Sequence, residues 1–401
     1  MAAPDLVVDS LGGVSVQPVV RPISPEQHLA FVRAQRSTSF LQTPAWARVK
    51  AEWRAESLGW FAGDDLVGAG LVLHRAIPVP KVRINRTLAY LPEGPVIDWA
   101  ADDLGAWLRP MAKHLKTHGA FAVRMGPPVV TRRWSAAAVK QGIADPDVRR
   151  LDDLAPTHRE PVGARVVSQL HELGWRLQGG EEGGFAAGQP RYNFQVPLAG
   201  AEGAPLSEAD VLAGMNQQWR RNIKKADKAG VVVTRSTDET VPADLKAFHD
   251  LYVHTAERDH FTPRPLGYFR TMAEAMRGEE PDRLTLWLAH HEGDLVAATI
   301  AVRVGTHAWY SYGASSTEKR DVRGSNAAQW AMMRDALASG ASVYDLRGIT
   351  DTLDPDDPHA GLIQFKVGTG GEAVEHAGEW DLPLRPLLYR GFQIAMKRRT
   401  G

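Results

Sequence analysis

Apolar positions along the chain switch between two spacings. From Ser207 to Val233, Val211, Leu212, Met215, Trp219, Ile223 and Ala226 recur every three or four residues and share one face of a predicted helix. Ser207 with Asp210 three residues on is a capping-box pattern that opens it, and Gly230 is the residue type favoured just past its end. The β-branched run Val231-Val232-Val233 then reads as a strand. Elsewhere the pattern is strand-like. Leu58–Ala62 and Leu66–Arg75 flank Gly63-Asp64-Asp65 as a hairpin. That phrase returns: Trp60-x-Ala62 with Asp65-Leu66-Val67 matches Trp287-x-Ala289 with Asp294-Leu295-Val296, and the later copy is expected to have two more residues in its turn.

The repeat continues downstream. Asp102–His118 reads as a helix closed by Gly119 and followed by strand Phe121–Met125; Ser325–Ser339 reads as a helix closed by Gly340 and followed by strand Val343–Leu346. Two similar α/β domains with mixed sheets built on antiparallel hairpins follow, 25–185 completed by 376–401, and 186–375. A helix is expected from Pro44, carrying Trp46, Val49, Lys50 and Trp53. The Pro-rich stretch from Pro127 predicts no long regular element before Pro161, then a helix over Val162–Trp175. The Gly-rich crossover Gly179–Pro190 marks the domain boundary, and strand Tyr192–Val196 opens the second domain. Helices are expected over Leu245–Arg258 and Tyr268–Met276, and no heptad array predicts a coiled-coil arm.

Charge sharpens one of these elements. Lys and Arg number 47 against 47 Asp and Glu, yet Arg220, Arg221, Lys224, Lys225 and Lys228 crowd into nine positions of the first helix. This is either a solvated face or a surface for an anionic partner. The absence of cysteine excludes thiol nucleophiles, disulfides and cysteine metal sites. No signal peptide and no long apolar run is present, so a soluble cytoplasmic protein is the expectation. The Met396-Lys397-Arg398-Arg399 cluster reads as a solvated tail or as a peripheral contact with an anionic inner-membrane surface. His249, His254 and His260 fit no metal spacing, and Asp351–Pro358 lacks the glycine and closing glutamate of a calcium loop, so no metal is expected.

Three further stretches carry candidate chemistry. Trp309–Ser316 runs as a strand into the polar loop Glu318–Gly324 and then a helix, a turn that suits anions but lacks the spacing of an acetyl-CoA pyrophosphate loop. Lys366 sits in the apolar run Gly361–Gly371, as a snorkelling surface residue or as a fixed cation in a cleft. Pro92-Glu93-Gly94-Pro95 makes a tight turn before Asp98.

The phrases FLQTPAWARVK, YLPEGPVID, MNQQWRRNIKKADKAGVVV, YSYGASS, YDLRG and GLIQFKVGTGG resemble, in order from about Phe40 to Leu384, the pattern of the FemABX peptidyltransferases. Without a coiled-coil arm the chain looks like the FemX-type members rather than FemA. The resemblance implies two domains like those of the GCN5-related N-acetyltransferases. It implies transfer of an amino acid, glycine favoured, from aminoacyl-tRNA to the side-chain amine of a diamino acid in a peptidoglycan precursor, UDP-MurNAc-pentapeptide or lipid II. The family's Phe-Lys pair falls on Phe365 and Lys366, the lysine stabilising the oxyanion. Lys50, Asp98 and Arg220 or Arg221 fall where the family binds nucleotide, pyrophosphate or stem peptide, and the family tyrosine falls on Tyr310 or, preferably, Tyr312. Glu93 replaces an arginine that many members carry. No cofactor beyond the tRNA co-substrate, and a monomer, are expected. Two other readings are the same chemistry on a natural-product scaffold and a non-catalytic RNA-binding module using the Arg220–Lys228 face.

Overall fold

The computed structural model describes residues 17–76, 86–178, 188–200, 203–357 and 359–400, with side chains up to Met396. Most of the expected 179–190 crossover, the start of the chain, and the side chains of Lys397, Arg398 and Arg399 therefore lie outside the described residues. The chain forms two compact units. One takes the residues up to Arg132, then Arg159–Arg191 and Glu375 onward; the other takes Arg133–His158 and Tyr192–Val374. Both are mixed α/β.

The first unit holds a seven-stranded sheet in the order Val19–Ile23, Arg54–Ala62, Asp65–Ala76, Thr87–Leu91, Ala120–Met125, Trp380–Pro383, Arg176–Leu177. Its hairpin turns through Gly63 and Asp64, with Ala62 opposite Asp65. Helix Leu104–Thr117 opens on the Asp103 side chain, which accepts from the Gly105 amide at 2.8 Å. It buries Leu104, Trp107, Leu108, Met111 and Leu115 at helical spacing in the core that also contains Trp60. Trp60 Nε1 donates to the Trp107 carbonyl at 2.8 Å, which satisfies the one polar group of a fully buried indole.

The second sheet has nine strands in the order Val232–Arg235, Leu284–His291, Asp294–Val304, His307–Ser315, Val343–Ile349, Tyr192–Pro197, Glu372–His376, Val130–Ser135, His158–Arg159. Its hairpin also turns in two residues, Glu292 (φ 51°) and Gly293 (φ 88°), with His291 opposite Asp294. Two successive positive φ values are the geometry whose twist matches flanking strands. The two extra residues of the later copy thus lengthen the strand instead of the turn, an even insertion that keeps every side chain on its face.

Two further expectations change. The predicted helix from Ser207 is two, Glu208–Gly214 and Gln217–Lys228, with Met215 and Asn216 extended between them. The Ser207–Asp210 capping box opens the first, and the Asn216 side chain caps the second by accepting from the Trp219 amide at 2.8 Å. The apolar periodicity runs through the break because Val211, Met215 and Trp219 enter one core. Before Pro161, a strand over Val130–Ser135 and a helix over Ala136–Ala144 do form, because the prolines flank these elements and do not interrupt them. Trp134, Val139 and Leu151 pack there with Tyr192, Phe194 and Val196, which is why 133–158, expected in the first domain, belong to the second unit. The helix from Pro44 ends at Val49, leaving Lys50 at its C-cap and Trp53 outside. Among the described residues no coiled coil is seen and no helix is long and apolar enough to cross a membrane.

Candidate functional site

In the second unit the parallel strands His307–Ser315 and Val343–Ile349 pair over only three residues: His307 with Val343, Ala308 with Tyr344, Trp309 with Asp345. Beyond that point each strand carries a bulge. On the first, Tyr310 lies opposite Ala301 and Tyr312 opposite Ile300, so Ser311 is the extra residue. A bulge reverses the alternation that would otherwise put residues i and i+2 on one face. Tyr310 accordingly packs into the core with Ala301 and Met332, where burial raises its hydroxyl to about 12. Tyr312 turns the other way, its ring edge-on to Phe269 at 5.0 Å and its hydroxyl 3.1 Å from that of Tyr268. Of the two tyrosines, Tyr312 is the one outside that core.

On the second strand Asp345 pairs with Gln195 and Gly348 with Asn193, so one residue is extra and Arg347 adopts φ 63°. A non-glycine residue in the left-handed region marks local strain held by its surroundings. What holds it is Asp345, whose Oδ1 accepts from the Arg347 amide at 2.6 Å. Asp345 is buried and also accepts from Gln195 Nε2 at 3.1 Å and Asn193 Nδ2 at 3.4 Å, with His307 Nε2 at an ion-pair distance of 3.4 Å. Burial pushes this carboxyl up, but His307 and the charge and amide of Arg347 outweigh it and hold it at about 2.

Lys366 lies on helix Ala360–Val367 and is 4% exposed. Its Nζ donates to the Gly348 carbonyl at 2.6 Å and the Arg347 carbonyl at 3.3 Å, the carbonyls of the strained bulge. An ammonium has three donors, so one remains for another acceptor. Burial lowers the group to about 7, with Asp345 opposing and Arg347 adding to the shift. Of the two alternatives the sequence left open, the snorkelling surface residue is excluded, because the side chain is buried. The glycines after it let the backbone approach closely: a Cβ on Gly368 would fall 2.2 Å from the Trp219 ring, and one on Gly370 1.9 Å from the Gly214 carbonyl.

Trp219 ties the basic helix to this helix. Its Nε1 donates to the Phe365 carbonyl at 2.8 Å, and its ring packs against Phe365 at 4.8 Å between centroids. The two arginines beside it differ in role. Arg220 turns back on the preceding helix and donates to the carbonyls of Leu212, Ala213 and Met215, serving as a C-terminal cap. Arg221 is exposed, with Lys224, Lys225 and Lys228. Arg221 is thus the arginine left available for an anionic ligand.

The remaining candidates lie in the first unit. Lys50 Nζ stands 5.6 Å from the Trp46 ring centroid. Asp98 Oδ1 accepts from the Ala100 amide at 2.9 Å and organises its own turn. Glu93 accepts from Ser39 Oγ at 2.6 Å. Its carboxylate ties the turn to the chain ahead of helix Pro44–Val49. The residues sequence reasoning missed are Asp345, Arg347, His307, Asn193 and Gln195. The one signal for them was an acid inside the otherwise apolar strand at Asp345. Among the described residues no group of three or more acidic or histidine side chains is arranged to hold a metal.

The comparisons agree on one relationship. A model described as the FemAB family matches residues 23–290 and 288–397. The lipid II:glycine glycyltransferase of Staphylococcus saprophyticus is 25% identical over 431 aligned positions, covering 92% of this chain and 94% of that protein. The enzyme of the same name in Staphylococcus aureus strain MRSA252 is 24% identical, covering 94% and 96%. Among solved structures, FemX superposes with a TM-score of 0.74 at 23% identity over 92% of this chain and 98% of that one, a likeness of fold.

Proposed function

Since the chain belongs to the FemAB family, we propose that it transfers an amino acid, glycine first among candidates, from aminoacyl-tRNA to the side-chain amine of the diamino acid in a peptidoglycan precursor, building the interpeptide bridge in the cytoplasm. The observation that carries this reading is the near full-length similarity to two lipid II:glycine glycyltransferases. Lipid II is for that reason the first acceptor to try, ahead of the soluble UDP-linked pentapeptide.

The reaction is aminolysis of an ester. The acceptor amine attacks the carbonyl that joins the amino acid to the tRNA ribose. A tetrahedral oxyanion forms and collapses with loss of the ribose hydroxyl, which takes the proton the amine gives up. The ester is already activated, so neither a covalent enzyme intermediate nor a cofactor is needed. The chain contributes position and charge. The free donor of Lys366 meets the oxyanion, Asp345 keeps the bulge and the ammonium in place, and Phe365 with Trp219 fixes the end of the helix. Arg221 and the exposed lysines of Gln217–Lys228 attract the phosphates of the donor RNA. Lys50 and Asp98 in the first unit, and Tyr312 in the second, are the further substrate-binding candidates.

The test follows radiolabelled glycine from charged tRNA to lipid II and to UDP-MurNAc-pentapeptide, with alanyl- and seryl-tRNA in parallel. Transfer to lipid II with glycine leading is the expected result. No transfer from any of the three donors to either acceptor would overturn the reading.

A further inference from the structure

Helix Pro386–Thr400 has two faces that do different things. Inward, Tyr389 is 2% exposed and packs with Leu88, Phe121 and Ala122, joined by Leu388 and Phe392. The Phe121 and Phe392 rings lie 5.3 Å apart, and the Tyr389 hydroxyl donates to Asp381 Oδ2 at 2.7 Å. The helix is thus anchored on the first unit's sheet. Outward, Leu387 is 88% and Ile394 47% exposed, seven residues apart and so on one line along the helix. Gly391 lies exposed between them, and Arg390 is exposed beside them. From Leu382 to the end the sequence carries Arg385, Arg390, Lys397, Arg398 and Arg399 and no acid, on a chain of zero net charge.

We propose that this outward face docks the protein on a bilayer containing anionic lipid. Exposed aliphatic side chains gain nothing from nucleic-acid phosphates, whereas a headgroup boundary takes up both: Leu387 and Ile394 enter the acyl region while Arg390 meets lipid phosphates. Two aliphatic residues and a short basic cluster make a weak, reversible attachment, which suits a protein that must also meet a soluble donor. Docking does not depend on the transfer reading; if that reading holds, docking brings the enzyme to a lipid-linked acceptor and leaves a water-soluble one unaffected.

The experiment is co-sedimentation of the full chain with vesicles of phosphatidylglycerol and phosphatidylcholine, against phosphatidylcholine alone, with no acceptor present. The doubly substituted Leu387→Glu/Ile394→Glu chain is compared with the native one; both positions are exposed, so the fold is not at stake, and melting temperature is recorded alongside. Native protein is expected on anionic vesicles only. The double variant should partition about tenfold or more weakly, and Arg390→Gln about fivefold more weakly. Absence of native binding to anionic vesicles at low salt, or equal binding by native and double variant, overturns the proposal. So does a double variant that keeps vesicle binding but loses an RNA oligonucleotide, which would make the face a nucleic-acid surface. If transfer occurs, the double variant should match the native rate on the soluble acceptor and lag on vesicle-borne lipid II.

Discussion

The two sheets repeat one order of elements and differ at their central parallel pair. In the first unit Thr87–Leu91 and Ala120–Met125 pair over their whole length, with one register shift just after Thr87, to Leu91 opposite Met125. In the second, pairing stops at Trp309 opposite Asp345, and both strands bulge just beyond. Polar side chains follow the difference. Along the closed pair, Arg124 makes a two-pronged bond to Asp381 at 2.7 and 2.8 Å, on the antiparallel neighbour strand, and Tyr90 donates to Glu379 at 2.5 Å. The arginine is paired and the Glu379 carboxyl is hydrogen-bonded. Beyond the open pair, a buried lysine lowered to about 7 donates to two strand carbonyls, and its protonated form has a third donor. Closing a sheet stabilises the unit; opening it leaves backbone carbonyls for a buried lysine to satisfy.

The contrast can be broken first at the closed pair. Asp381→Asn leaves a largely buried guanidinium uncompensated and should cost about 3 kcal/mol in urea unfolding, with transfer by the surviving folded enzyme unchanged. A rate loss without a stability loss would mean the closed sheet also does chemistry. Arg220→Ala removes the cap on the Leu212, Ala213 and Met215 carbonyls. It should cost about 1 kcal/mol and leave RNA affinity unchanged. Arg221→Gln should do the reverse, with stability within about 0.5 kcal/mol and a shallower salt dependence of RNA binding. The same outcome for both arginines would contradict the division between them.

A subtler effect separates the open pair. Lys366 titrates near 7 in the folded chain against 10.5 when exposed. Between those values the unfolded chain binds a proton that the folded chain does not, so stability rises with pH across the window. Below about pH 7 both states are protonated and the slope from this group vanishes. Lys366→Met should abolish that rise and at neutral pH should not be the less stable protein. Urea midpoints at pH 7 and pH 9.5 for both chains check it.

Much of this could be read from the chain. The repeated Trp-x-Ala hairpin gave two mixed sheets because period-two apolar runs and their turns are local signals. The break at Met215–Asn216 was hidden because the apolar face continues across it, although Asn216 is a cap residue three positions before Trp219. The 133–158 segment was hidden because prolines beside an element look like prolines within it. In the site, Lys366 stood out as a cation in an apolar run. Asp345 and its partners did not, since Asp345, His307, Asn193 and Gln195 come from three separate strands and only the fold brings them together. Arg220 and Arg221 are neighbours in sequence about 100° apart on a helix, and only the structure shows which of them turns back to cap the preceding helix.

The most direct test of the open sheet as the reaction centre is the single-turnover rate of transfer from glycyl-tRNA, native against Lys366→Met, with tRNA and acceptor binding measured on the same preparations. The account predicts a rate lower by about 10²–10³ with both substrates bound as before. A native rate in Lys366→Met, or a loss wholly explained by weaker binding, would contradict it.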